Sequence, residues 1–279
     1  MIDKHDIAFI VIGDVHGRKF WKDAIGYEQD VPVIFLGDYL DPYPHEKITS
    51  PEAIENFKDI LDYAKTSRNV HLLYGNHDSY AFNDLELCSC RHDMGRYDKI
   101  CQIYHDNEDL FKFAHDETVG NTRFLMTHAG VHPEWYENWS DVYGEDFKWT
   151  ADEINMAKDK RGFMASLRTL PFSRGGYYDY GSILWCDVRD YLGIVSYSKM
   201  PENVVQVFGH TMLMKAFGFN RFCTLIDVDC QRAVFVDKNG SVRYLDDGAP
   251  IDMEPEEDGN ADKKEDKKQE EHSENEEDN

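Results

Sequence analysis

The sequence predicts a layered α/β fold, and three observations carry that expectation. Short apolar runs rich in Val, Ile and Phe are each followed at once by a polar or glycine cluster, as buried strands are. Between the second and third run lies a segment with apolar residues at helical spacing. The 279 residues are 41% hydrophobic and 13% aromatic, which suits one sizeable packed core.

Residues 7–12 and 31–36 are the first two predicted strands. Ser50-Pro51 then reads as an N-cap and a proline at the first helical position. Ile54, Phe57, Ile60, Leu61 and Ala64 follow as the apolar stripe of that helix. Residues 70–74 return to a strand, and residues 80–113 are mostly polar and helical in pattern. Gly120-Asn121 predicts a turn leading into a strand over 123–127.

Residues 131–181 are rich in Trp and Tyr and break the strand rhythm, so they read as a cap-like insertion that covers or shapes a site. Within them Thr150-Ala151-Asp152-Glu153 is a capping-box signature, which predicts a helix reaching roughly Leu170. Trp135, Tyr136, Trp139 and Tyr143 either wall a substrate or, the more common outcome, pack the insertion's own small core. A strand over 204–208 follows. Residues 222–228, 232–236 and 241–244 then predict a closing antiparallel meander, turned at Lys238-Asn239-Gly240. From Asp252 to Asn279 there are 14 acidic residues against four lysines and almost nothing apolar. The expected organisation is a single domain over 1–251 and a disordered acidic tail over 252–279.

The net charge of −24 sets this chain apart from proteins that grip phosphate backbones with Lys and Arg, so duplex nucleic acid is not an expected partner. The six cysteines, Cys88, Cys90, Cys101, Cys186, Cys223 and Cys230, read as reduced thiols. A small zinc site at Cys88, Cys90 and His92 has the wrong spacing for paired thiolates. The apolar run near the N-terminus is too short for a signal peptide, and no stretch nears the ~20 apolar residues that span a bilayer. A cytoplasmic protein without membrane association is the expectation.

The polar clusters behind the strands form an ordered set: Gly13-Asp14-Val15-His16-Gly17, Gly37-Asp38-Tyr39-Leu40-Asp41, Gly75-Asn76-His77-Asp78, Thr127-His128-Ala129-Gly130 and Phe208-Gly209-His210-Thr211. Each sits where a strand ends, the edge at which open α/β sheets build sites. A mixed set of carboxylate, imidazole and amide oxygen suits divalent Mn, Fe or Zn. Two such ions roughly 3.5–4 Å apart can hold both the attacking and the leaving oxygen of an in-line phosphoryl displacement. One carboxylate must then bridge them. Singly, each cluster is commonplace; five in order behind apolar runs are not.

The series GDVHG, GDYLDP, GNHD, THAG and FGHT resembles the calcineurin-like metallophosphoesterase superfamily, most closely its phosphoprotein phosphatase branch with its bacterial and phage relatives. The resemblance implies a two-sheet β-sandwich flanked by helices, in α-β-β-α layers, and two divalent metal ions, Mn2+ first. It implies Asp14, His16 and Asp38 as ligands of one metal, and Asp38 (bridging), Asn76, His128 and His210 as ligands of the other. It implies His77 as the general acid, oriented by Asp41, and a hydroxide between the metals that attacks phosphorus directly. A carboxylate beside the imidazole is expected to keep His77 charged near neutrality.

Two departures bear on substrate. That branch carries an arginine after the second aspartate of its second motif, where this chain has Pro42; Arg18, Arg174 and Arg189 are the candidates to bind phosphate instead. The third motif ends in Asp78 rather than Glu. The implied function is hydrolysis of phosphomonoesters, on phosphorylated Ser/Thr protein or a small phosphoester. The alternatives are a nucleotide or dinucleoside polyphosphate hydrolase, a phosphodiesterase, or a non-catalytic protein-binding scaffold.

Overall fold

The computed structural model describes residues 4–26, 30–82, 91–143, 148–159, 162–192, 203–220, 224–228 and 231–253. In chain order the strands are β1 (Ile7–Ile12), β2 (Val33–Phe35), β3 (Val70–Leu73), β4 (Phe111–Lys112), β5 (Ala114–Val119) and β6 (Thr122–Thr127). There follow β7 (Val204–Phe208), β8 (Phe217–Asn220), β9 (Thr224–Asp227), β10 (Val234–Asp237), β11 (Val242–Tyr244) and β12 (Asp252–Met253). The helices are α1 (Trp21–Ile25), α2 (Ser50–Thr66), α3 (Tyr97–His105), α4 (Pro133–Tyr143), α5 (Ala151–Ala157), α6 (Phe163–Ser166) and α7 (Val188–Leu192). Among the described residues the strands make two six-stranded sheets, ordered β11-β10-β1-β2-β3-β4 and β12-β8-β9-β7-β6-β5.

The unbroken apolar character of the first strands follows from burial on both faces. Phe9 and Val11 of β1 point between the sheets, where they meet Ile34, Leu36 and Leu73 from the first sheet and Phe124, Met126, Val207 and Ile226 from the second. The alternate residues Ile10, Ile12, Val33, Phe35 and Leu72 belong instead to the cluster that holds Ile54, Phe57, Ile60 and Leu61 of α2. On the second sheet Phe208 also turns outward, its ring 5.3 Å from Tyr191 of α7. The layers are therefore α-β-β-α. Truncating a fully buried ring such as Phe57 to alanine would cost about 3–5 kcal/mol, a large share of a domain's stability.

Several local expectations shift. The N-cap of α2 is Thr49, not Ser50: Thr49 Oγ1 accepts the Glu52 N–H at 3.4 Å, and the Glu52 carboxylate accepts the Thr49 N–H at 2.8 Å. The helix begun at the Thr150 cap ends at Ala157 rather than near Leu170, and a separate short α6 follows, opened by Gly162 at φ 94°. The C-terminal strands do not form one meander. β10 and β11 are a hairpin beside β1, whereas β9 pairs parallel with β7 and antiparallel with β8 in the other sheet. A two-residue period marks a strand but says nothing of which sheet receives it. Asp252 and Met253, assigned to the tail, pair with Phe217 and Gly218 of β8; residues 254–279 lie outside the described residues.

The aromatic residues of the 131–181 segment pack inward. Trp135, Trp139 and Trp149 are all buried, and Tyr136 lies 4.8 Å from Trp149, so these rings form a core rather than a substrate wall. The side chain of Tyr143, and both Cys88 and Cys90, lie outside the described residues. Cys101 and Cys186 form no disulfide. Among the described residues no helix is long and apolar enough to cross a membrane.

Candidate metal and catalytic site

β1, β2 and β3 run parallel, so the three loops that follow them leave one edge of the first sheet. β6 and β7 run parallel in the second sheet, and their following loops arrive at the same place. Backbone bonds lace these loops together: His16 N–H to Asp38 O at 2.7 Å, Gly17 N–H to Tyr39 O at 3.0 Å, and Gly209 N–H to His128 O at 2.7 Å. One cross-link joins the first loop to the last, from His210 N–H to Asp14 Oδ1 at 3.1 Å. Four residues of these loops, His16 (φ 46°), Asp38 (φ 54°), Asp41 (φ 58°) and His210 (φ 72°), hold left-handed backbone conformations. Each costs a non-glycine residue about 1–2 kcal/mol and persists only where surrounding contacts enforce it.

The six expected ligands converge, each 7% exposed or less. His16 Nε2 lies 3.5 Å from Asp38 Oδ2 and 3.9 Å from Asp14 Oδ2. On the other side His128 Nε2 lies 3.7 Å from Asp38 Oδ1, 2.9 Å from Asn76 Oδ1 and 3.1 Å from His210 Nδ1. His210 Nδ1 is in turn 2.9 Å from Asn76 Oδ1. Asp38 thus sends one carboxylate oxygen into each group.

This donor set fits divalent cations. His16 Nδ1 and His128 Nδ1 each face a backbone carbonyl, Leu40 O at 2.8 Å and Leu36 O at 2.9 Å. A carbonyl accepts only, so both Nδ1 atoms carry the proton and both Nε2 lone pairs face the cluster. Among the described residues His210 Nε2 is buried without a hydrogen-bond partner. Burial holds the His16 and His210 imidazoles well below the usual range, which keeps them neutral. Burial, then the Asp14 and Asp78 carboxylates, pushes Asp38 well above the usual carboxylate range. Converging lone pairs and crowded buried carboxylates are what bound cations relieve.

Beside this cluster His77 Nδ1 and Asp41 Oδ2 are 2.9 Å apart, and the Tyr80 hydroxyl donates to Asp41 Oδ1 at 2.8 Å. Burial pushes the Asp41 carboxyl up to about 6. The expectation that Asp41 keeps His77 charged meets an opposing influence from its surroundings. Burial, followed by the Arg91 and His92 charges, holds the His77 imidazole well below its usual range.

Arg91 is the residue that sequence reasoning missed. Its Nε donates to Asp41 O at 3.2 Å, and its NH2 lies 3.2 Å from His77 Nε2 and 3.5 Å from His16 Nε2. The guanidinium carbon sits 3.8 Å over the Tyr43 ring. No motif spacing flags it, since it follows the cysteine-rich stretch and belongs to none of the five clusters.

The three arginines singled out from the sequence are placed differently. Arg174 pairs with Asp187 Oδ2 at 2.9 Å and donates to His210 O at 3.2 Å, at the rim of the cluster. Arg189 makes a two-pronged contact with Asp187, at 2.7 and 2.8 Å. Arg18 is buried, its Nε 2.7 Å from Glu46 Oε1 and its NH1 3.3 Å from Asp14 O.

A separate group, His71, His115 and Glu117, brings three metal-type donors together. The two imidazoles stack with centroids 3.8 Å apart and planes 20° apart. Lone pairs lie in the ring planes, so rings stacked in this way cannot both aim at one ion. The group reads as a His115–Glu117 pair, at 2.9 Å, covered by His71.

The sequence pattern of the calcineurin-like phosphoesterase family matches residues 7–214, a span that contains all six converging ligands, His77 and Arg91. Among solved structures, a protein serine/threonine phosphatase from Saccharomyces cerevisiae, described as similar to human phosphatase PP5, aligns at 16% identity with a TM-score of 0.47, covering 91% of this chain and 82% of that one. No curated protein matches the chain.

Proposed function

This chain belongs to the calcineurin-like phosphoesterases, metal-dependent phosphoric ester hydrolases, and on that premise we propose that it hydrolyses phosphomonoesters, with phosphorylated Ser/Thr protein as the substrate class. The observation that carries the reading is Asp38, whose two oxygens face two separate sets of donors. Asp14, His16 and Asp38 would hold one ion, and Asp38, Asn76, His128 and His210 the other, Mn2+ ahead of Fe or Zn. Bound there, the pair would supply Lewis-acid neutralisation of phosphoryl charge and a water acidic enough to ionise near neutral pH.

The chain's own residues do the rest. Asp41, fixed by Tyr80, orients the His77 ring through Nδ1 and turns Nε2 toward the cluster. As the ester P–O bond breaks, the leaving oxygen would take a proton from His77 Nε2. In the structure that nitrogen accepts from Arg91, so it must first release that contact and take up a proton from solvent. Arg174, tied to the His210 carbonyl, would meet a phosphoryl oxygen from the His210 side. Arg189 holds the Asp187 carboxylate that Arg174 leans on, and Arg18 braces the backbone of Asp14, so both support the site from behind. The acidic body and reduced thiols suit a cytoplasmic setting away from duplex nucleic acid.

Pro42, in place of the branch's usual arginine, favours a second reading: a nucleotide, dinucleoside polyphosphate or diester substrate. Rates of the Mn2+-loaded protein on a phosphopeptide, a dinucleoside tetraphosphate and a bis-aryl phosphate separate the two. Fastest turnover of the phosphopeptide supports the first reading. Fastest turnover of either other substrate replaces it, and no turnover of any after full metal loading defeats both.

A further inference from the structure

We propose that Arg91 binds the phosphoryl group of the substrate, in the role that an arginine at position 42 would fill and Pro42 cannot; the inference rests on the phosphoesterase reading above. Of the four arginines considered, Arg91 is the one whose guanidinium nitrogen contacts ring nitrogens of the site, His77 Nε2 at 3.2 Å and His16 Nε2 at 3.5 Å. Those two imidazoles belong to the proposed acid and to one proposed metal set. A phosphoryl oxygen accepting from Arg91 NH2 at about 3 Å would therefore lie within reach of both.

Two contacts aim the guanidinium. Nε donates to the Asp41 carbonyl at 3.2 Å, which ties it to the residue that orients His77. The Tyr43 ring supports the guanidinium plane at 3.8 Å, and Tyr43 directly follows Pro42. The backbone beyond is sewn down as well, since Asp93 N–H donates to the Tyr80 hydroxyl at 2.7 Å and that hydroxyl holds Asp41. The second motif thus supplies a platform and a carbonyl for an arginine that arrives 50 residues later in the chain.

An anionic phosphoryl oxygen is a stronger acceptor for a guanidinium than an imidazole nitrogen. Substrate therefore displaces the Arg91–His77 contact. This hands Arg91 to the phosphoryl group and leaves His77 Nε2 facing the leaving oxygen. Arg91 and Arg174 then approach the phosphoryl group from opposite sides, near His77 and near His210 respectively.

The test uses the Mn2+-loaded full chain with Arg91→Ala and Arg91→Lys, inorganic phosphate affinity by calorimetry, metal content by mass spectrometry, and thermal melting. Arg91→Ala should weaken phosphate binding about 10- to 100-fold and Arg91→Lys by less, with metal content unchanged. Phosphate affinity of Arg91→Ala within twofold of the parent overturns the assignment. Should Arg91→Ala melt early, Arg91→Lys decides: parent-like affinity overturns the proposal, and a several-fold loss with metal retained sustains it. Loss of metal in both variants makes Arg91 a structural support and also overturns it. A fully loaded parent that neither binds phosphate nor hydrolyses any ester defeats the phosphoesterase reading itself. A parent that does both, with variants indistinguishable from it, defeats the Arg91 assignment alone.

Discussion

The Asp78 carboxylate accepts the backbone N–H of Asp38 at 2.7 Å. The same oxygen accepts the Gly75 N–H at 2.7 Å, while its other oxygen accepts the Tyr39 N–H at 3.2 Å and the Tyr104 hydroxyl at 2.6 Å. One fully buried side chain at the end of the third motif thus fixes the loop of the second, including the strained turn that aims Asp38. The residue at this departure from Glu works as an acceptor for backbone of its own loop and of the loop before it.

Asp78→Asn should therefore impair metal binding without touching a ligand. The amide offers one acceptor oxygen where four donors converge, and each buried donor left unsatisfied costs about 1–3 kcal/mol. A lower melting temperature and weaker Mn2+ affinity in calorimetry are the expected outcomes. Parent-like values for both would remove Asp78 from the site's support.

Gly75 is constrained by contact. A Cβ there would stand 2.7 Å from Asp38 N and 2.9 Å from His128 Cε1, both in the heart of the proposed metal set. Gly75→Ala should push Asp38 and His128 apart and cut metal occupancy, with the fold retained in circular dichroism. Two ions per chain measured in this variant would show that the loop can yield.

Metal stoichiometry distinguishes a shared ligand from an unshared one. Asp38→Asn removes charge from both groups of donors and should leave less than one ion per chain. His210→Ala removes a donor from one group and should leave about one, because each group is otherwise complete. Equal losses in the two variants would contradict the split role of Asp38.

Leaving-group dependence tests the acid. His77→Asn should slow hydrolysis of alkyl phosphates by about 10²–10⁴-fold, the usual worth of positioned proton transfer, while activated aryl phosphates, which need no proton, lose far less. Asp41→Asn should show the same pattern more weakly, since His77 remains. Similar losses on both ester types would remove His77 from that role.

Stability should fall on acidification because of a histidine outside the site. Burial pushes His132 down to about 4, against a small opposing pull from the Asp190 backbone, whereas the unfolded chain titrates near 6.5. Between those values the unfolded state binds more protons. The contribution is therefore complete above pH 6.5 and is lost as pH falls to about 4, at most about 3 kcal/mol. Chemical denaturation of His132→Asn across pH 4–7 should show a flatter acid limb than the parent, and an unchanged slope would rule His132 out.

Much of this molecule was written in local pattern. Strands β1 and β7 have the bounds their apolar runs gave, and the Thr150 cap opens a helix, because short-range sterics and capping act between neighbours in sequence. The family and the six donors that converge at one sandwich edge were legible for a related reason: a strand end is a fixed place, and each motif sits on one. What pattern left open is what depends on distance through space. It gave no sign of which sheet would take β9, that Asp78 would reach the backbone of Asp38, or that Arg91 would come to rest over Tyr43 against His77. It showed the Asp41 partner of His77 but not the burial and the Arg91 cation that work against a charged imidazole there. Burial and electrostatics sum over every neighbour in three dimensions, and only the folded chain states who those neighbours are.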